Sequence, residues 1–312
     1  MTHVLTLIAG VSKRSLTDAL IDDAGRVLAT LGARAGAPVI LSQGRAVDIP
    51  FEMGDAAAEA SLPSGGSLDA NAVRTALSAT AVEGVDLAVI PADGRRKGLL
   101  IADMDSTIVT GETLDDLAEL AGIGDAVADI TRRAMNGEIG FEGALRERVA
   151  MLKGRSTDLI EQVIERMTLT PGAEALVATM RSHGARCVLV SGGFTVFTGH
   201  VAELAGFDAD FGNTLIMSHG SFSGTVGEPI LGRDAKLSTL QAECEARNLD
   251  TSSAIAVGDG ANDLAMIQAA GMGIAFHAKP SVKAAAPIVI DHADLTSLLY
   301  LQGYADTDFA ET

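Results

Sequence analysis

Two carboxylates, Asp103 and Asp105, follow directly after the apolar run LLIA. A strand predicted over that run ends at Asp103, and ligands of open parallel sheets bind outside the carboxyl ends of strands. Two carboxylates this close raise each other's cost of ionisation, and a hard divalent cation relieves that cost. The pair therefore indicates a metal-dependent site, although a single Asp-x-Asp more often belongs to a turn or a helix start.

A second apolar run, CVLV, leads into Ser191, Gly192 and Gly193. Glycines let backbone N–H groups approach an anion, and a helix start favours negative charge. Ser191 and Gly192 are thus candidates for holding a phosphate. A plain strand-to-helix turn is the alternative, and the Gly-Gly pair on its own favours that alternative.

Lys236 lies in the first turn of a helix for which Asp234 is the predicted N-cap and whose apolar face carries Leu240 and Cys244. A cation at this end of a helix opposes the helix dipole by about a few tenths of a kcal/mol. Contact with a bound anion would explain the lysine, and an exposed lysine would also be tolerated.

A third apolar run, AIAVG, ends directly before Asp259, and Asp263 follows at a predicted helix start. Asp259 could reach the same cation as Asp103. The glycines at 258 and 260 lack the third glycine of the dinucleotide-binding fingerprint, and acidic side chains would repel a pyrophosphate. An NAD site is therefore disfavoured.

The elements that must position these residues are short apolar strands alternating with helices from Leu99 onward. This alternation predicts an α/β fold with a Rossmann-like, mostly parallel sheet. Apolar residues at helical spacing over about 113–169 predict a helical cap inserted in that sheet. Arg148 lies beside the apolar stripe of the cap and either extends to solvent, the commoner case, or projects towards a ligand carboxylate. Glu112 is either an ordinary surface residue or a partner for a ligand ammonium.

The first part of the chain has a different pattern and predicts a small α+β unit. The predicted elements are strands at 4–9, 38–42, 47–51 and 85–90 and a helix at 15–31. The polar, turn-prone segment PADGRRKG follows these elements. We therefore predict two domains, 1–94 and 95–312.

The charge balance restricts the partners of the protein. Lysine and arginine total 23 against 41 acidic residues, giving a net charge of −18. Such a chain repels polyanions, so nucleic acid is not expected, and a phosphate site must supply its own cations or a metal ion. Cys187 and Cys244 are predicted to be buried free thiols in a reducing compartment. The sequence shows no secretory signal or membrane span, so we expect no membrane partner and a cytoplasmic location.

The motifs, taken in order, resemble those of the haloacid dehalogenase-like hydrolases. They are DMDST at 103–107, SGGF at 191–194, Lys236, and GDGAND at 258–263. The segments VTGETLD and FEGALRERVAMLKG are similar to those of the members of that family that act on phosphoserine. The resemblance extends from about Leu99 to Asp294.

The resemblance implies a Mg²⁺-dependent phosphatase that converts L-phosphoserine into L-serine and phosphate, the last step of serine biosynthesis. It implies that Asp103 is the nucleophile, forming an aspartyl-phosphate, and that Asp105 is the general acid and base. The implied Mg²⁺ ligands are Asp103, the backbone carbonyl of Asp105, and Asp259, with Asp263 in a supporting position.

The resemblance also assigns the substrate contacts. The implied phosphoryl contacts are Ser191, the Gly192 amide, Lys236 and Asn262. Glu112 would bind the amino group of phosphoserine and Arg148 its carboxylate. Similar enzymes act on other small phosphates or transfer phosphate to an acceptor such as homoserine, and this remains the alternative within enzymes.

Two further hypotheses concern the whole chain. A binding protein that kept the sheet but lost the chemistry would carry a broken motif, whereas Asp103, Asp105, Lys236 and Asp259 are all present. The amino-terminal unit resembles the regulatory ACT-like region that precedes the catalytic part in some bacterial members of the family. This similarity implies one of two roles. The unit either senses serine, or it serves only for packing or for forming a homodimer.

Overall fold

The computed structural model describes residues 2–11, 15–53, 75–77, 83–135, 138–232 and 234–311. The early elements are β1 (His3–Ala9), α1 (Asp18–Thr30), β2 (Ala33–Ala35), β3 (Val39–Ser42), β4 (Ala46–Met53) and β5 (Val85–Pro91). These described strands form an antiparallel sheet in the order β2-β4-β1-β5, with β3 also paired to β4. Each element predicted in this region has a counterpart. The three-residue strand β2 was not predicted because it is too short to show alternation.

The later strands form a second sheet. Its described strands are β6 (Leu99–Ala102), β7 (Arg186–Phe194), β8 (Ala209–Asn213), β11 (Ala254–Gly258), β12 (Met272–Phe276) and β13 (Ile288–Ile290). Their order is β13-β12-β11-β6-β7-β8, and every pairing is parallel. Parallel strands covered on both faces have continuous apolar sequences, as these do. The predicted α/β fold with a parallel sheet is confirmed.

Helices connect these strands and cover the sheet. Between β6 and β7 lie α2 (Thr113–Leu120), α3 (Gly124–Met135), α4 (Phe141–Ala150), α5 (Leu159–Arg166) and α6 (Ala173–Ser182). Then follow α7 (Thr195–Ala205), the hairpin β9 (Leu215–Ser218) and β10 (Ser221–Val226), α8 (Ala235–Ala246), α9 (Leu264–Ala269), α10 (Pro280–Lys283) and α11 (Ser297–Leu301). Leu145, Val149 and Leu152 of the insertion are buried in the same core as the face of the sheet nearest to them.

Both cysteines agree with the sequence analysis. Cys187 and Cys244 are buried and unpaired. Among the helices that the structure describes, none is long and apolar enough to cross a membrane.

A buried polar network joins the first sheet to α11. Arg95 donates to Asp48 Oδ2 at 2.6 Å, to the carbonyls of Leu301 at 3.1 Å and Tyr300 at 3.2 Å, and to Thr6 Oγ1 at 3.3 Å. Asp48 is buried, and the Arg95 side chain is 12% exposed. A buried ion pair whose remaining hydrogen bonds are satisfied is costly to break from one side. This network therefore fixes the first sheet against the end of the chain.

We expect Arg95→Met to lower the free energy of unfolding by about 3–5 kcal/mol, because it leaves the Asp48 carboxylate buried without its partner. Urea denaturation measures the change. Arg96→Met is the matched control, because Arg96 pairs with Asp308 at an exposed position. That control should lose about 1 kcal/mol or less. Equal losses in both variants would contradict the role of the network.

Candidate active site

Asp103 lies at the carboxyl end of β6, between β11 and β7 in the sheet. Its backbone N–H donates to the Val257 carbonyl at 3.0 Å, which extends the strand pairing by one residue. Its carboxylate accepts from the Met104 N–H at 2.8 Å and contacts the Lys236 ammonium at 2.6 Å. Burial and then the charge of Asp263 raise the pKa of Asp103 well above its usual range, although Lys236 opposes the rise. The carboxylate is therefore held in place within a strongly negative environment.

Asp105 lies in the tight turn after β6, and its side chain points back to the site. Its carboxylate accepts from the Thr113 N–H at 2.8 Å and from Ser191 Oγ at 3.1 Å. Burial raises the pKa of Asp105, and these two hydrogen bonds oppose the rise. A carboxyl group with a raised pKa beside a nucleophile can hold and transfer a proton.

Lys236 is almost fully enclosed, with a side chain only 3% exposed. It contacts the carboxylates of Asp103 and Asp263. Burial alone would lower the pKa of Lys236, but the charges and hydrogen bonds of both carboxylates outweigh burial and raise it. Asp234 occupies the predicted N-cap position of α8, but its side chain makes no capping hydrogen bond. The fixed backbone position of Lys236 comes from packing rather than from that cap.

Asp259 and Asp263 complete a carboxylate cluster after β11. Among the described residues, one oxygen each from Asp103, Asp259 and Asp263 lie within 4.8 Å of one another, and all three side chains are buried. Asp263 also accepts from the Gly260 N–H at 2.8 Å. A Cβ at Gly258 would lie 2.4 Å from Asp263 Cγ, so this close approach requires glycine. Buried carboxylate oxygens in excess of cations suit a hard divalent ion such as Mg²⁺.

Ser191 and Gly192 lie near the end of β7, where the strand departs from regular pairing. Ser191 is buried, and its Oγ also accepts from the Gly193 N–H at 2.8 Å. A Cβ at Gly192 would lie 3.1 Å from the ring of Phe141, which covers the glycine from the helical insertion. The Gly192 carbonyl accepts from Asn213 Nδ2 at 2.9 Å. The hydrogen bond from Asn213 and the contact with Phe141 therefore fix the backbone at this strand end.

Glu112 and Arg148 face the same pocket from the side of the insertion. Glu112 accepts from Ser106 Oγ at 2.7 Å. Its side chain keeps solvent access at the pocket rim, yet the surrounding protein and then the charge of Asp105 raise the pKa of Glu112 to about 7. Arg148 Nε donates to the Ala144 carbonyl at 3.3 Å. Among the described residues, no acidic side chain forms an ion pair with its guanidinium. Partial burial lowers the pKa of Arg148.

These side chains enclose a cavity of about 140 Å³. Its walls are Asp103, Asp105, Glu112, Thr113, Leu114, Phe141, Leu145, Arg148, Ser191, Gly192, Gly193, Asp259, Asn262 and Lys279. The structure thus brings every candidate residue from the sequence analysis to this wall except Lys236, which contacts Asp103, and Asp263, which contacts Lys236. The cavity has a carboxylate-rich end at the sheet and an end at the insertion with one acidic and one basic side chain.

The model of the haloacid dehalogenase-like hydrolase family matches residues 100–268. The chain belongs to this family. The phosphoserine phosphatase of Haemophilus influenzae is 43% identical over 204 residues, covering 65% of this chain and 65% of that protein, slightly under two thirds of its length. The phosphoserine phosphatase of Lactococcus lactis is 42% identical over 203 residues, covering 65% of this chain and 94% of that protein.

A solved structure extends the similarity to the amino-terminal region of this haloacid dehalogenase-like hydrolase. It is the unliganded crystal structure of a probable phosphoserine phosphatase from Vibrio cholerae, with 30% identity and a TM-score of 0.74. The similarity covers 98% of this chain and 88% of that one. The similarity in fold therefore includes the amino-terminal region as well as the parallel sheet.

Sequence reasoning did not identify three contacts in the site of this haloacid dehalogenase-like hydrolase. The Thr113 N–H that binds Asp105 and the Phe141 ring over Gly192 depend on how the insertion folds back. Lys279, however, follows β12 by three residues. Applying the strand-end rule to MGIAF as well would have pointed to it.

Proposed function

We propose that this haloacid dehalogenase-like hydrolase is a Mg²⁺-dependent phosphatase that converts L-phosphoserine into L-serine and phosphate. One observation carries the proposal. The Asp103 and Asp105 carboxylates line the same cavity of about 140 Å³ as the Glu112 carboxylate and the Arg148 guanidinium. The similarity to proteins named phosphoserine phosphatase supports the same substrate. The proposed setting is the last step of serine biosynthesis in the cytoplasm.

The insertion end of the cavity suits an amino acid. Phosphoserine carries an ammonium and a carboxylate on the same carbon, and Glu112 and Arg148 offer the opposite charges. Arg148 forms no ion pair with a described acidic side chain, so its planar guanidinium is available to bind a carboxylate through two parallel hydrogen bonds. A sugar phosphate offers neither charged group to this end.

The sheet end of the cavity suits a divalent cation. Asp103, Asp259 and the backbone carbonyl of Asp105 would hold Mg²⁺, since the Asp105 carboxylate is already engaged by Thr113 and Ser191. Asp263 would support the ion indirectly, because its oxygens bind Lys236 and the Gly260 N–H. When bound, Mg²⁺ neutralises charge on the phosphoryl oxygens and on the attacking carboxylate.

In the first step, an oxygen of Asp103 attacks phosphorus while the bond from phosphorus to the serine oxygen breaks. Asp105, whose pKa is raised by burial, donates its proton to the departing serine oxygen. Lys236, Ser191 and the Gly192 N–H hold the phosphoryl oxygens, with Asn262 at the cavity wall beside them. Phosphoryl transfer depends mainly on such positioning and charge neutralisation.

In the second step, Asp105 removes a proton from water, and the water oxygen attacks the phosphorus of the aspartyl-phosphate. The bond between phosphorus and the Asp103 oxygen breaks, which restores the carboxylate and releases phosphate. The helical insertion, which we propose acts as a cap, closes over the site and limits the entry of other water. Splitting the hydrolysis in this way replaces one difficult displacement by two easier ones.

We further propose that residues 1–94 form an ACT-like domain that senses serine or mediates a homodimer. The antiparallel sheet packed beside α1 supports this proposal. Serine should then change the rate of phosphate release or the melting temperature. A protein whose rate and melting are both unaffected by serine would lack the sensing function.

The proposed function is tested by measuring phosphate release with Mg²⁺ from L-phosphoserine, phosphothreonine, phosphohomoserine, sugar phosphates and p-nitrophenyl phosphate. We expect release that EDTA abolishes and that favours L-phosphoserine. Release from other substrates only would keep the chemistry and reject the substrate. Absence of release from every compound would reject the enzymatic proposal.

Neutralising the insertion end should change substrate recognition more than chemistry. We expect Glu112→Gln and Arg148→Met each to raise KM for L-phosphoserine by about 10- to 100-fold, because a hydrogen bond to a charged group is lost. The kinetics with p-nitrophenyl phosphate, which lacks both charged groups, should change little. Arg146→Met is the matched control on the same helix, since Arg146 is exposed and pairs with Glu142 and Glu228. Equal effects on both substrates would contradict the assigned contacts.

A further inference from the structure

Lys279 lies at the cavity wall, as Arg148 does, and its setting differs from that of Lys236. Its ammonium lies 3.5 Å from Asp259 Oδ2, and its side chain is 56% exposed. Lys236, by contrast, is 3% exposed and lies against two carboxylates. Lys279 therefore makes a loose ion pair with a residue that faces the proposed metal position.

The backbone at Lys279 is fixed even though its side chain is not. The Lys279 N–H donates to the Asp259 carbonyl at 3.1 Å. Two residues earlier, His277 adopts a left-handed conformation with φ 45°, its N–H donates to the Ile290 carbonyl at 2.8 Å, and its ring lies 2.9 Å from the Ala293 carbonyl. These contacts keep the start of the lysine side chain beside Asp259 and leave its end free to move.

We propose that Lys279 and a divalent cation compete for the carboxylate of Asp259, so that Lys279 sets how tightly the site holds its metal. This inference rests on the metal site of the proposed function. A divalent cation bound to the Asp259 carboxylate repels the nearby ammonium of Lys279 and competes with it for the same carboxylate. A bound cation would therefore displace the ammonium of Lys279 from its present position 3.5 Å from Asp259 Oδ2.

The proposal is tested by isothermal titration of the purified full chain with Mn²⁺ and with Mg²⁺, without substrate. Lys279→Met should bind either ion about tenfold more tightly, because both the competing ammonium and its repulsion are removed. Lys279→Arg should bind nearly as the unaltered protein does. Lys283→Met is a control outside the cavity, where Lys283 pairs with Asp291 at 2.6 Å, and should leave the affinity unchanged. Unchanged or weaker binding by Lys279→Met would overturn the proposal.

A second measurement uses the unaltered protein and so does not depend on the folding of a variant. Labelling of lysine amines with an acylating reagent, located by mass spectrometry, should be several-fold faster at Lys279 when Mg²⁺ is added. Equal labelling with and without Mg²⁺ would overturn the competition. Asp259→Asn separates the two levels of inference: if it abolishes binding while Lys279→Met leaves binding unchanged, the metal site stands and only the role of Lys279 fails. A failure of the unaltered protein to bind either ion would overturn both.

Discussion

We expect the Asp103→Asn protein to lose phosphate release from every substrate by a factor of at least about 10⁴, because the amide cannot form the covalent bond to phosphorus. The substitution preserves shape, and the backbone of residue 103 would keep its hydrogen bond to the Val257 carbonyl. Circular dichroism and urea denaturation should therefore show a folded protein. A folded variant that retained substantial activity would exclude an aspartyl-phosphate on this residue.

Asp105→Asn provides the matched comparison, because it removes proton transfer but leaves the nucleophile. With L-phosphoserine, whose alkoxide is a poor leaving group, release should fall strongly. With p-nitrophenyl phosphate, whose phenolate leaves without a proton, rapid mixing should show a burst of about one p-nitrophenolate per site and then a slow phase. The trapped phosphate should be found on Asp103 by mass spectrometry. A phosphorylated residue elsewhere would contradict the assigned nucleophile.

The second large effect is expected for Lys236→Met. Lys236 lies buried between the carboxylates of Asp103 and Asp263, so its removal leaves both without their cation. Breaking a buried ion pair from one side costs about 3–5 kcal/mol. Urea denaturation at pH 8 in EDTA should show a loss of this size in the free energy of unfolding. Lys153→Met, at an exposed position, should change it by less than about 0.5 kcal/mol.

The loss in Lys236→Met should depend on pH. The pKa of Asp103 is already raised by burial and by the charge of Asp263, and Lys236 is a group that lowers it. Without Lys236, the pKa of folded Asp103 rises further, so the folded variant keeps a proton on Asp103 at pH values where the folded unaltered protein has released it. Stability then falls as the pH rises from the unfolded pKa towards the raised folded pKa. The loss should therefore be smaller at pH 5 than at pH 8, and added Mg²⁺ should stabilise this variant more than the unaltered protein. A loss that is the same at both pH values would contradict the buried-charge explanation.

The strand-end residues could be identified from the sequence because their positions depend on local structure. Asp103, Ser191 and Asp259 each follow an apolar run that is typical of a buried parallel strand. Parallel strands of one sheet bring their carboxyl ends to one edge, so residues far apart in sequence must lie together there. The fold class followed from the same alternation of strands and helices.

The sequence identified Arg148 and Glu112 as candidates, but it could not show whether their side chains face the cavity. Helical spacing left Arg148 with two alternatives, solvent or cavity, and only the packing of α4 against β10 and α3 puts it at the cavity wall. Glu112 is similar, because its pKa of about 7 depends on desolvation and on the charge of Asp105, and both follow from how the chain folds around the pocket. Rotation of a helix about its axis is set by tertiary contacts that periodicity does not contain.

What the sequence alone determined was the parallel α/β sheet and the set of carboxylates, glycines and lysine at its edge, because periodicity and strand ends are local properties. Only the tertiary structure decided which charged side chains form ion pairs with one another. It paired Lys236 with Asp103 and Asp263, brought Lys279 to Asp259, and joined Arg95, between β5 and β6, to Asp48 of β4. Each of these contacts joins residues at least 20 positions apart. The energy of a buried charge depends on which opposite charge the folded chain places beside it.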